Sequence, residues 1–329
     1  QVLMGPTDFI FPYRREAIPV LEWAESRMPN WKFKYFLAQN YIAVGLLDKG
    51  EELLKSCGDS PDSDVFYRFR AKTLKSSSYG DKLKDYQKAL SLNNGNWLVW
   101  NEMIQFYLAN ENYSDAQKLS AKAYKKFQKN YSIGLSYAKS LLYNQQYQQG
   151  IKVLKTCNVL PFEGAGESRR IYEQSHVYLA YEYLQKKNYA KAVQLLEASK
   201  EWPENLGVGK PYNVDSRLQD FLLARCFEGQ GKEVDSKALL DSIAVYTENN
   251  FDTPSVNHLF GLLAYKKLGK EEEAHKLLKM LEGQASEENM KSKLAMAFYK
   301  NDKEALSKLK NEKIVDDQTW NILEASLGY

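Results

Sequence analysis

The chain has 329 residues, of which 44% are hydrophobic and 26% charged, and its formal net charge at pH 7 is +3. This nearly balanced charge does not give the strongly positive surface potential that is typical of proteins that bind nucleic acids or, through polybasic segments, membranes. The sequence also has no run of 18 apolar residues that could span a bilayer. Three cysteines without CxxC spacing and three scattered histidines predict no disulfide framework, no metal site and no cofactor, and the unpaired cysteines favour a reducing compartment such as the cytoplasm.

The first predicted helix looks like half of a repeating unit. Its positions Ala17 and Leu21 recur 33 residues later as Gly50 and Leu54, and Pro29 marks its end. A lone second helix of a pair leaves an apolar face uncovered. We therefore expect either that residues 1–14 fold back over this face or that an upstream partner covers it.

From residue 31 to residue 313 the chain repeats one pattern eight times. A small or aliphatic residue is followed three positions later by an aromatic residue or leucine, at intervals of 33 to 44 residues. The pairs are Ala38 and Tyr41, Ala71 and Leu74, Ile104 and Tyr107, Ala138 and Leu141, Ala180 and Tyr183, Ala224 and Phe227, Leu262 and Tyr265, and Ala295 and Phe298. A second series of small residues, mostly with leucine four positions later, marks a second helix in each unit.

Each unit is predicted to be two antiparallel helices, because a small residue lets two backbones approach and a bulky residue one turn away fills the adjoining space. No single pair can bury itself, so neighbouring pairs must stack into one continuous core. The unit around residues 81–90 is out of phase by about one residue.

These residues resemble the tetratricopeptide repeat, a helix pair of about 34 residues. Leu37-Ala38-x-x-Tyr41 and Leu179-Ala180-x-x-Tyr183 carry its first-helix pattern, and Trp100 supplies its tryptophan. The resemblance implies an all-α fold, a right-handed α-α superhelix (solenoid) of about eight helix pairs. It also implies one domain over residues 1–329: an N-terminal segment plus half repeat (1–30), the repeats (31–313) and a capping helix (314–329) that begins at an Asp or Thr near Asp317.

Two neighbouring connections, residues 160–170 and 201–212, are longer than the repeat requires and should emerge from the same edge of the fold. Gly207-Val208-Gly209-Lys210 is not a phosphate-binding loop, since it lacks the earlier glycine and the Ser or Thr after the lysine. One interpretation is a structural connector in which Trp202 and Tyr212 seal the groove between repeats. The other is a ligand or partner site. Its candidate residues are Arg169, Arg170, Trp202, Glu204, Lys210 and Tyr212.

Residues 30–35, 160–164 and 201–212 are also similar to a narrower group. This group is the C-terminal tetratricopeptide region of large proteins from Bacteroides-like bacteria, which begin with a domain of unknown function. In those proteins the N-terminal part looks like a β-sandwich related to sugar-binding or sugar-processing proteins. This resemblance implies that the chain is the C-terminal module of a longer polypeptide.

The concave face offers a second candidate site, because the resemblance implies that first helices line it. The chain has 23 tyrosines, and tyrosine suits both peptide and sugar recognition. The groove candidates are Tyr35, Asn101, Lys139, Tyr143, Tyr178, Tyr181, Phe221 and Arg225. The Lys and Asn clamp with which chaperone-tail binders of this family hold a terminal carboxylate is not present as a set.

The leading hypothesis for function is a non-catalytic protein–protein interaction scaffold that binds a protein or peptide segment, including the upstream domain of the same polypeptide. The alternative is a glycan-recognition accessory module of a carbohydrate-active protein. A third hypothesis, an autonomous enzyme, needs paired carboxylates such as Glu163 with Glu204 or Glu167 with Asp215.

Overall fold

The computed structural model describes residues 14–161, 166–284 and 289–327. Within these ranges the chain forms 18 α-helices and one short 3-10 helix (Glu204–Leu206), and no strand. The predicted all-α solenoid class is confirmed. The helices pack into two compact units that divide between Asn144 and Gln145. The single domain over residues 1–329 stays a prediction.

The first unit contains α1 (Ala17–Arg27), α2 (Trp31–Ala43), α3 (Leu47–Ser56), α4 (Asp64–Thr73), α5 (Tyr79–Leu92), α6 (Trp97–Ala109), α7 (Tyr113–Lys126) and α8 (Tyr131–Tyr143). The second unit contains α9 (Tyr147–Leu154), α10 (Glu167–Gln185), α11 (Tyr189–Ser199), α12 (Arg217–Gly229), α13 (Glu233–Asn249), α14 (His258–Lys267), α15 (Glu271–Gln284), α16 (Met290–Lys300), α17 (Lys303–Asn311) and α18 (Asp317–Ser326). The even-numbered helices from α2 to α16 are the eight predicted first helices.

The repeat pattern marks the contact surface of these first helices. All eight small or aliphatic positions of the pattern lie inside a first helix, and none is more than 3% exposed. The residues are Ala38, Ala71, Ile104, Ala138, Ala180, Ala224, Leu262 and Ala295. Close packing of backbones at these points explains why alanine recurs there.

Asparagine side chains fix where many helices begin. In six helices the N-cap asparagine accepts a hydrogen bond from a backbone N–H of the first turn, which satisfies a donor that the helix itself leaves unpaired. These asparagines are Asn30, Asn96, Asn112, Asn130, Asn188 and Asn289. Local sequence therefore sets the start of each of these helices.

The out-of-phase unit has a different hairpin turn. Elsewhere two or three residues join the helices of a pair, but residues 74–78 join α4 to α5. Ser78 then caps α5 through a capping box with Asp81. The longer turn accounts for the shifted phase of residues 81–90.

A helix forms where the half repeat is predicted: α1 packs against α2. Leu21 lies against the core cluster that contains Tyr35, and the Tyr41 hydroxyl donates a hydrogen bond to Glu22. The opposite side of α1 is exposed: Val20 and Trp23 are 63% and 64% exposed. The first 13 residues, which we considered as a cover for this face, lie outside the described residues.

Candidate binding surfaces

In the first unit one predicted groove residue belongs to the core. Tyr35 is 1% exposed and packs against Trp31, Phe66 and Phe69, with ring centroids 5.5 to 6.5 Å away. Its predicted exposure in a groove is wrong, because this aromatic cluster fills the space between α2 and α4.

Polar side chains instead link neighbouring first helices of this unit. Arg68 of α4 donates two hydrogen bonds to Glu102 of α6 at 2.8 and 2.6 Å, and Lys72 lies 2.5 Å from the same carboxylate. One helix further on, the Ser136 hydroxyl donates to Oδ1 of Asn101 at 2.6 Å. The predicted groove residue Asn101 thus holds two first helices together.

The other two groove candidates of this unit are accessible. Lys139 is half-buried on α8, and Tyr143 is 39% exposed at the end of the same helix. One ring face of Tyr143 stacks on Tyr113 at 4.8 Å, which leaves the rest of its surface open. Both residues keep a predicted role in binding.

The Tyr113–Tyr143 stack belongs to a series of equivalent tyrosines that the repeat pattern did not reveal. Tyr79, Tyr113, Tyr147 and Tyr189 are each the first residue of a second helix and pack against the following first helix. Tyr79 stacks on Phe106 at 4.9 Å, Tyr147 meets Tyr178 edge-on at 5.6 Å, and the Tyr189 ring lies against Gly229. The sequence signal was a tyrosine directly after the polar residue that ends four of the hairpin turns. Much of the tyrosine excess is therefore scaffold.

In the second unit two groove candidates are buried, so their predicted exposure is wrong. Phe221 is 1% exposed and packs on Phe260 at 5.1 Å. Tyr178 is 4% exposed, and its hydroxyl donates a 2.7 Å hydrogen bond to Asp316. Tyr181 and Arg225 are half-buried.

Asp316 caps helix α18, which therefore lies against α10. Burial, together with the Asp316 charge, raises the pKa of Tyr178 above its ordinary value. Sequence reasoning predicted α18 but not this contact, because 138 residues separate the two side chains.

Among the loop candidates, Arg169 is structural. It is 4% exposed; its Nη2 donates to the Ser199 carbonyl at 2.7 Å, and its guanidinium lies 4.5 Å from the Trp202 ring centroid. The prediction of an accessible Arg169 is wrong, because the side chain fills the space between α10, α11 and Trp202. Trp202 is half-buried beneath it.

The remaining loop candidates lie on the surface. Arg170 is exposed and 3.8 Å from Glu167. Glu204 and Lys210 are exposed, and Tyr212 is fully exposed. Tyr212 therefore does not seal a groove, contrary to the connector interpretation, and these four residues stay candidates for binding.

The two long connections are joined, as their shared edge predicted. The Val159 N–H donates to the Asn205 carbonyl at 2.8 Å, and Asn205 Nδ2 donates to the carbonyls of Leu154 and Cys157 at 3.0 and 2.8 Å. Ser168 at the start of α10 donates to the Leu206 carbonyl at 2.8 Å. The second connection thereby caps the end of α9, which favours a structural role for residues 201–207.

The carboxylate pairs of the enzyme hypothesis gain no support. Glu163 lies outside the described residues. Burial raises the pKa of Asp215, but the hydrogen bonds and charge of Arg217 outweigh burial and leave that pKa below its ordinary value. Asp215 is thus an ionised partner of Arg217, 2.7 Å away, and does not suit the role of a proton donor.

An open pocket of about 580 Å³ lies between α4, α5 and α6 of the first unit. Tyr86, Phe106, Lys72 and Lys82 are among the residues that line it. Across the described ranges, no cluster of three His, Cys, Asp or Glu side chains could hold a metal ion. No helix in that part of the chain has the length and apolarity needed to cross a membrane.

No protein-family model matches the chain, and no curated protein matches it significantly. Solved structures do resemble it. The C-terminal part of a tetratricopeptide-repeat-containing protein from Cytophaga hutchinsonii matches with a TM-score of 0.52 at 14% identity, over 71% of this chain and 91% of that one. A tetratricopeptide repeat protein from Parabacteroides merdae matches with a TM-score of 0.44 at 12% identity, over 85% of this chain and 99% of that one.

The first of these matches is close enough to compare folds. It agrees with the stacked helix pairs described above. The chain therefore has the fold of tetratricopeptide-repeat proteins, an α-α solenoid, a class whose stacked helix pairs commonly form extended binding surfaces.

Proposed function

We propose that this chain is a non-catalytic protein–protein interaction scaffold and the C-terminal module of a larger polypeptide, with the upstream part of that polypeptide as one partner. The near-balanced charge supports a protein partner over a nucleic acid. The similarity of residues 30–35, 160–164 and 201–212 to the C-terminal region of large Bacteroides-like proteins supports the modular role.

The exposed face of α1 carries this proposal. Second helices such as α7, α11 and α13 lie between a preceding and a following first helix, whereas the main partner of α1 among the described residues is the following helix α2. Among the described residues no helix precedes α1. Val20 and Trp23 lie three positions apart on its uncovered side, and Met28 just beyond α1 is 55% exposed.

An upstream helix would extend the stack that the rest of the unit already shows. Tryptophan at the centre of an apolar patch is typical of residues that dominate binding energy. We infer that the partner is an α-helix with an apolar stripe and a small residue where it crosses α1.

Hydrogen exchange tests this function. We expect the α1 amides (residues 17–27) to exchange about tenfold more slowly when the chain is linked to the polypeptide encoded upstream of it, because burial suppresses local opening. Trp23→Ala together with Val20→Ala should abolish that protection. The matched control is Val234→Ala on α13, an 83% exposed side chain away from α1. Equal exchange of α1 in both polypeptides would refute the upstream partner.

We do not propose glycan recognition. That alternative depended on an aromatic lining, and Tyr35, Tyr178 and Phe221 are buried. Of the groove candidates, the exposed Tyr143 has one ring face stacked on Tyr113.

A further inference from the structure

The C-terminal helix α18 binds α10 through a small polar site. Oδ2 of Asp316 accepts hydrogen bonds from the Tyr178 hydroxyl at 2.7 Å and from Gln174 Nε2 at 3.1 Å. The Thr319 hydroxyl lies 2.9 Å from the Tyr178 hydroxyl. These contacts join residues 138 to 142 positions apart, so the repeat that builds neighbouring pairs does not account for them.

The same carboxylate organises the start of α18. Oδ1 of Asp316 accepts from the backbone N–H groups of Gln318 and Thr319 at 3.1 and 3.0 Å. One side chain therefore caps the helix with one oxygen and docks it on α10 with the other. A hydrogen bond between a buried phenol and a carboxylate is among the stronger kinds, since the acceptor is charged.

A further donor stands beside this site. Tyr147 is 2% exposed, its ring meets Tyr178 edge-on, and its hydroxyl has no hydrogen-bond partner among the described residues. Burial raises the pKa of Tyr147, and the negative charges of Glu182 and then Asp316 add to that effect. The Tyr178 phenol and the Gln174 amide thus present donors to a single carboxylate, which makes the site selective for an acidic group.

Apolar contacts hold the rest of α18. Trp320 packs on Phe298 of α16 at 4.9 Å, and Ile322 and Leu323 are at most 1% exposed. The helix reaches this position through a short connection, residues 312–316, in which Lys313 has a φ of 47°. A lysine rarely adopts this left-handed conformation, so the backbone is strained at this turn after α17.

We propose that α18 is a built-in, displaceable ligand, and that the face of α10 with Gln174 and Tyr178 is a receptor for a partner helix of the same chemistry. The partner helix begins with an acidic N-cap, carries Thr three residues later and presents an aromatic residue at the next position. This proposal concerns the second unit and does not depend on the α1 surface, so either can fail alone.

Internal occupancy sets how tightly an outside helix binds. Because α18 is tethered to its site, it competes with a free helix at a high effective concentration. The apparent Kd of the free helix equals its intrinsic Kd divided by the fraction of chains in which the site is vacant. Weakening the internal contact should therefore strengthen binding of the same helix supplied from outside. A purely structural cap predicts no such gain.

The test uses the full chain and a fluorescein-labelled synthetic peptide of residues 312–327. The peptide keeps the native sequence, including Asp316. Asp316→Ala in the chain should lower the apparent Kd of this peptide at least about tenfold relative to the native chain, because the chain's own α18 then loses its N-cap and its charged hydrogen bond to α10. Adding Tyr178→Phe should raise that Kd about tenfold again. The control, Asp302→Ala, removes the N-cap of α17, whose side chain accepts from Ala305 N–H.

The proposal is overturned if the Asp316→Ala chain binds the peptide no more tightly than the Asp302→Ala chain. A native dimer that Tyr178→Phe dissociates would also overturn it, since a second copy would then fill the site. Should Asp316→Ala fail to fold, Tyr178→Phe alone decides by hydrogen exchange. We expect α18 amides to exchange about tenfold faster than in the native chain with α16 unchanged, and equal rates refute the contact.

Discussion

At the scale of single residues, the hairpin turns share one left-handed position. It stands two residues before the second helix of a pair and has a positive φ in seven hairpins. The residues are Gly45, Glu111, Gln145, Lys187, Gly231, Gly269 and Asn301. Glycine adopts this conformation without strain, whereas Glu, Gln and Lys hold it at a cost. The turn therefore keeps the same backbone conformation at this position whether or not the residue is glycine.

This strain predicts a stabilising substitution. Lys187→Gly should raise the free energy of unfolding of the second unit by about 0.5–1 kcal/mol, because relief of the left-handed strain exceeds the added entropy of the unfolded chain. Thermal unfolding followed by circular dichroism measures the effect. Lys186, the preceding residue, has a φ of −84° and is the matched control. Lys186→Gly should lower stability, and equal effects of the two changes would contradict the strain.

At the scale of elements, the long connection 201–212 behaves as part of the packing. Gly207 has a φ of 67°, and a Cβ added there would lie 2.6 Å from the Val159 carbonyl oxygen. Gly209, two residues on, has open space around it. The sequence Gly-Val-Gly thus contains one glycine that the fold requires and one that it does not.

Substitution of the two glycines should separate these roles. We expect Gly207→Ala to destabilise the second unit by about 2 kcal/mol or more, since both the backbone conformation and the contact with Val159 oppose a side chain. Gly209→Ala should change stability by less than about 0.5 kcal/mol. Denaturant unfolding of both variants provides the comparison, and a Gly207→Ala chain as stable as Gly209→Ala would rule out the close approach.

At the scale of the whole molecule, a buried polar network makes the unfolding equilibrium depend on pH. His258 is fully buried, and its Nδ1 and Nε2 lie 3.0 Å from Arg217 Nη1 and the Thr253 carbonyl, respectively. Burial, and then the charge of Arg217, lower the pKa of His258 from 6.5 to about 4. Between pH 6.5 and about pH 4, His258 is therefore protonated in the unfolded chain but neutral in the folded chain.

The sign follows from proton binding. Since the unfolded state takes up more protons between pH 6.5 and 4, stability should fall by about 3 kcal/mol as pH drops through that range. Unfolding midpoints in urea measured from pH 7 to pH 4 test this. His258→Gln should flatten the profile, whereas His275→Gln, an exposed position on α15, should leave it unchanged. A native profile that is already flat would contradict the network.

The sequence by itself determined the helix pairs, the helices α1 and α18 that flank the repeats, and the shared edge of the connections 160–170 and 201–212. These features rest on short-range signals: a small residue that permits close packing, a cap at the helix start, and a length that exceeds the repeat. Such signals recur in every unit, so their agreement is informative even where a single match is weak. The structural role of the two connections came only from their hydrogen bonds.

Only the tertiary structure decided which candidate residues are accessible. The period of a helix marks its apolar face, but it does not reveal which distant element covers the other face. Tyr178 is covered by a helix 138 residues away, Arg169 by Trp202 in a connection, and Tyr35 by rings of its neighbours. The helix pairs could be predicted because their contacts join residues close in sequence. The accessible surfaces could not be predicted because contacts between residues far apart in sequence decide which side chains are covered.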